Sequence, residues 1–68
     1  MAQYYVNKNA QDNGDHEVHR EGCEFMPNVE NRIYLGLFGN CHDAVHEAKK
    51  HYLQSNGCYH CLSESPTG

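Results

Sequence analysis

Cys58 and Cys61 are separated by two residues and directly follow Gly57, a spacing that lets two thiolates converge on one metal ion from a tight turn. A tetrahedral zinc site needs two more ligands. Sulfur is available from Cys23 or Cys41, and imidazole from His16, His19, His42, His46 or His60. The preferred set is His19, Cys23, Cys58 and Cys61, because His19-x3-Cys23 adds a second close pair in mixed form, with Cys41 as a substitute ligand. Thiolate and imidazole donors suit zinc better than calcium or magnesium, so zinc is the expected metal.

Other chemistries compete for the same residues. Cys23 can pair with Cys58 or Cys61 in a disulfide, or all four thiols can stay reduced with no staple. Cys58-Tyr59-His60-Cys61 also has the spacing of a thiol redox pair. Such pairs use a helix N-terminus to stabilise the thiolate, whereas this one follows the expected helix. Covalent haem attachment is excluded because Leu62, not histidine, follows Cys61. His42 and His46 stand at i, i+4 but lack the glutamate of H-E-x-x-H, so they are expected as solvated flanks of a helix. Cys41, on the apolar stripe of that helix, is expected as a buried small hydrophobe.

The elements that must position these groups are few. Sixty-eight residues make one small domain, and a mean hydropathy of −0.86 leaves a thin core that a metal or disulfide would help to hold. Gln3–Lys8 reads as a strand with Tyr4 and Val6 on one face, Asn13-Gly14 as a hairpin turn, and His16–Arg20 as a second strand. Glu24–Asn31 reads as a loop, with Phe25 and Met26 plugging one end of the core. Arg32–Phe38 is the strongest strand, expected at the centre of the sheet with Ile33, Leu35 and Leu37 inward, and Gly36 marks a bulge, a close backbone approach or a gap filled by a neighbouring aromatic. Asn40 caps a helix expected over 41–55, whose stripe of Cys41, Ala44, Val45, Ala48 and Tyr52 lies on that inward face. Asn56-Gly57 would cap it, Cys58–Leu62 would return as a strand, and 63–68 would be a disordered tail. The fold expected is α+β, a small, mainly antiparallel sheet in the order β-β-β-α-β with one helix packed on one face.

Taken together, His19-x3-Cys23, Leu35-Gly36-x-Phe38-x2-Cys41-x2-Ala44-Val45-x2-Ala48 and Gly57-Cys58-x2-Cys61 resemble a group of short uncharacterised bacterial proteins, over roughly residues 4 to 61. The resemblance implies one small protein and carries no activity, ligand or partner. Members of that group have a further cysteine and histidine after the C-x-x-C, where this chain has Leu62-Ser63-Glu64-Ser65-Pro66. Leu35 to Tyr52 is also similar in outline to peptidoglycan-binding and double-stranded-RNA-binding modules, a similarity of shape alone.

Five Lys and Arg against nine Asp and Glu give a net charge of −4, without the basic footprint that phosphate-backbone binding requires. The N-terminal residues lack the apolar run of a signal peptide and no segment is long enough to span a membrane, which leads to the expectation of a cytoplasmic protein. No nucleophile-and-base pair and no carboxylate pair can be assembled from the spacing. The sequence therefore predicts a non-enzymatic binding or interaction module whose partner is another protein or itself. The alternatives are a small thiol redox protein using Cys58 and Cys61, and a self-associating protein that pairs through an exposed edge strand at Tyr4–Lys8.

Overall fold

The computed structural model describes residues 1–58. The expected tail and the segment after Cys58, Cys61 included, lie outside the described residues. β1 (Ala2–Asn7), β2 (His16–Arg20), β3 (Arg32–Phe38), α1 (Cys41–Ala48) and β4 (Ser55–Gly57) follow one another, with a 3-10 turn at Val29–Asn31 before β3. The strands form one sheet ordered β3-β1-β2-β4, antiparallel except where β4 runs parallel to β2. This is the α+β architecture that the alternation and the helical stripe predict.

Two positions in the sheet differ from expectation. β3 is an edge strand, not the centre, and β1 is hydrogen-bonded on both sides, so Tyr4–Lys8 offers no open edge. The order follows from pairing: the chain after β1 doubles back as β2, and β3 then takes the only side of β1 that remains. Register sets Val6 against Val18 on one flank and against Ile33 on the other, so the residues of one face meet across three strands.

A bulge alters which residues of β3 face inward. Tyr4 is opposite Gly36 and Tyr5 is opposite Tyr34, so Leu35 is an extra residue between them. Alternation shifts by one at that point. Ile33, Leu35 and Phe38 pack on the core, while Leu37, expected inward, is 57% exposed. Gly36 adopts φ +126°, a region that side chains rarely enter, and this selects glycine at the bulge.

Asn40 caps α1 as expected, its Oδ1 accepting the Asp43 N–H at 2.9 Å. The helix ends at Ala48, well short of 55. His51 and Tyr52 both donate to the Ala48 carbonyl at 2.9 Å, and Tyr52 then leaves the helix axis to stack on His16, ring centroids 3.7 Å apart and 4° from parallel. Gln54 binds the hairpin loop through Asn13 O and Asp15 Oδ1, both at 2.9 Å, and accepts from the His16 N–H. The following residues gain strand partners in β2, and Asn56 and Gly57, expected as a helix cap, belong to β4. β4 thus precedes the strand expected over Cys58–Leu62, of which residues 59–62 lie outside the described residues.

Cys41, Ala44 and Ala48 of α1 meet Tyr4, Val6 and Val18 of the sheet in a core of buried residues that also takes in Cys58. No buried Leu, Ile or Phe contributes to it among the described residues, and Phe25, expected as a plug, is 61% exposed. With about 1.5 to 3 kcal/mol available from burying each valine, this core is thin for a cooperative fold.

Gly36→Ala should destabilise the protein by about 1 to 3 kcal/mol, because alanine at this φ is strained whatever space surrounds it. Gly39→Ala, where an added Cβ meets nothing within 4 Å, should change little. Denaturant melts of the two variants check this, and equal midpoints would contradict the bulge.

Candidate metal centre

Alternation along β2 turns Val18 toward the helix and sets Glu17 and His19 on the opposite face. His19 is the largest fully buried side chain in the described chain, 1% exposed. An imidazole in that position needs partners for both ring nitrogens. Two elements supply neighbours. The turn after β2 sends the Cys23 N–H back to the Arg20 carbonyl at 2.9 Å, which brings the Cys23 thiol within 3.5 Å of His19 Nδ1. β4 runs beside β2 in register, Val18 opposite Gly57, and the next residue, Cys58, donates its N–H to Val18 O at 3.0 Å. That continuation sets Cys58 beside His19, and its sulfur lies 3.8 Å from that of Cys23.

The three donor atoms of His19, Cys23 and Cys58 all lie within 4.8 Å of one another, a group able to hold a metal ion. Bond lengths of about 2.3 Å to sulfur and about 2.0–2.1 Å to nitrogen, at tetrahedral angles, require edges of about 3.8 Å for S···S and about 3.5 Å for S···N. Two edges of one tetrahedral face therefore stand at length.

Glu17 occupies the far side of the imidazole, its Oε1 3.7 Å from Nε2, which is buried without a hydrogen-bond partner. A neutral imidazole carries one N–H and one lone pair. With the proton on Nε2, facing the carboxylate, the lone pair of Nδ1 faces the sulfurs. That is the tautomer a metal requires, with the carboxylate orienting the ligand from behind. Burial holds the His19 pKa below the ordinary histidine value, and Glu17 opposes this in part.

Three of the four expected ligands are thus brought together, while Cys61 lies outside the described residues. Cys41, the expected substitute, is not in the group: it is buried in the core as the first residue of α1. His42 and His46 are exposed on the helix, as expected of solvated residues, and His16 is engaged by Tyr52 and by the Asn7 carbonyl, 2.9 Å from its Nδ1. Glu17 is the member that spacing did not single out. Its signal was its place on the same strand face as His19.

The depressed His19 pKa has a definite sign in the metal-free protein. Between the folded value and about 6.5 the unfolded chain binds the proton and the folded chain does not, so stability falls as pH drops below about 6.5. Chelator-treated protein should show a denaturant midpoint that declines on acidification from about pH 7 to about pH 5 more steeply than that of His19→Gln. Equal slopes would contradict a buried neutral imidazole. No protein-family model matches the chain, and no curated protein or solved structure is significantly similar to it.

Proposed function

We propose that the chain is a non-enzymatic binding module whose fold is stapled by a structural zinc ion held by His19 Nδ1, Cys23 Sγ, Cys58 Sγ and a fourth thiolate from Cys61. The observation that carries this reading is the pair of distances, 3.8 Å between the sulfurs and 3.5 Å from sulfur to nitrogen. Structural zinc sites close all four positions with protein ligands, and the thin core gives such a site work to do. Cys61, two residues beyond Cys58, is the ligand that the C-x-x-C spacing supplies.

The binding role draws on the sheet face turned away from α1. Tyr5 and Tyr34 meet there with ring centroids 5.3 Å apart, the Arg32 guanidinium lies 4.5 Å over the Tyr5 ring, and Tyr34 and Leu37 are each more than half exposed. Tyr5 is fixed further by its hydroxyl donating to Glu21 at 2.9 Å, and that hydrogen bond is the main reason its pKa is raised. An exposed tyrosine beside a partly buried tyrosine and arginine fits a protein partner, and the acidic balance argues against nucleic acid. A self-associating form would pair through β3, the longer of the two edge strands among the described residues. Among the described residues no helix is long and apolar enough to cross a membrane.

Purified full-length protein should carry one zinc per chain, and chelation should lower its thermal midpoint sharply, since structural zinc in small domains supplies about 10 to 16 kcal/mol of binding free energy. Cys23→Ser and His19→Gln should abolish stoichiometric zinc, while Cys41→Ala should retain it. Zinc retained by Cys23→Ser, or a midpoint insensitive to chelator, would contradict the proposal.

A further inference from the structure

The three donors differ in how solvent reaches them. His19 and Cys58 are 1% and 2% exposed, whereas Cys23 is only partly buried, in the turn that follows β2. Its sulfur is the one a small dissolved reagent meets first. It already stands 3.8 Å from Cys58 Sγ, so closing to a bond of about 2.05 Å requires the sulfurs to approach by less than about 2 Å. The backbone on each side can absorb that movement. Cys23 follows Gly22, which has φ +93° and open space around the position of a Cβ, and Cys58 follows the three-residue β4. Cys41, in the helix-side core, is not in the group.

Resting on the zinc reading above, we propose that Cys23 and Cys58 form a site of two-electron oxidation by a hydroperoxide, and that the disulfide they form releases the metal. Cys23 Sγ attacks one peroxide oxygen, the O–O bond breaks, and the departing oxygen takes a proton from solvent and leaves as water, or as the alcohol from an organic peroxide. Cys23 is then a sulfenic acid. Cys58 Sγ attacks the Cys23 sulfur, the S–O bond breaks, and hydroxide leaves with a second solvent proton as water. Two thiolates have lost two electrons, the peroxide has gained them, and zinc, deprived of two ligands, departs as unreduced Zn2+. The zinc staple where β4 ends beside β2 would be exchanged for a disulfide between the same two segments, and His19 and Cys61 would be released from the metal. Dithiol reductant and zinc reverse the change.

The test is a titration of the zinc-loaded full chain with hydrogen peroxide, following zinc with a chromogenic chelator and mapping thiols by alkylation and by a non-reducing digest that cuts at Tyr59. Zinc content is read before peroxide is added. The expected result is one zinc released for each disulfide formed, a chain lighter by two hydrogens, a linkage joining Cys23 to Cys58, and the same behaviour in Cys41→Ala. Zinc and all thiols surviving excess peroxide would overturn the proposal. So would release through a Cys58–Cys61 linkage or through a sulfinic acid, two oxygens heavier. Each of these leaves the zinc reading standing. A starting protein that takes up no zinc overturns that reading, and this proposal with it, at the first measurement.

Discussion

A buried imidazole facing two sulfurs is the constraint around which the rest of this small structure is arranged. His19 has no exposed surface with which to satisfy its ring, one nitrogen lies 3.7 Å from a carboxylate oxygen and the other 3.5 Å from a thiol, and a second thiol stands 3.8 Å from the first. Leaving a buried polar atom without a partner costs about 1 to 3 kcal/mol, a large share of what a chain of this size can muster. A cation among the three donors would use the lone pair of Nδ1 and so fix the proton on Nε2, the nitrogen that faces the Glu17 carboxylate.

The topology serves the same end. Parallel pairing of β4 with β2 needs a crossover, which α1 and the turn at Tyr52 provide, and its effect is to deliver Cys58 to the strand that carries His19. The His16–Tyr52 stack and the Gln54 contacts with the hairpin loop fix where the chain turns. Core and cluster adjoin at Cys58: it belongs to the buried core with Val18, Ala44 and Ala48, and it stands beside His19 and Cys23 in the donor group. Apart from Tyr4 the buried core residues are small, and a metal held by His19, Cys23 and Cys58 would tie β2, the turn after it and the end of β4 together.

Much of this was legible in the sequence. Alternation placed β2 and β3 at their observed bounds, Asn40 marked the helix start, and the His19-x3-Cys23 pair with Cys58 named three residues that the fold brings together. Three features were hidden for physical reasons. The helix stripe runs on to Tyr52 at helical spacing, but stacking on His16 and strand pairing beyond it win over one more helical turn. Leu37 alternates correctly with Ile33 and Leu35, yet the bulge at Gly36 reverses its direction, and a bulge depends on the partner strand. Hydrophobicity marked β3 as central, whereas position in the sheet is decided by the pairing of β1 with β2, a long-range property that no local pattern carries.

In the proposed site one nitrogen and the sulfur ligands share a single ion, and X-ray absorption at the zinc edge of the metal-loaded full chain reads that shell directly. Four-coordinate zinc with three sulfur scatterers at about 2.3 Å and one imidazole nitrogen at about 2.0–2.1 Å is the expected result. A shell of nitrogen and oxygen alone, or one of sulfur without an imidazole nitrogen, would contradict the shared site.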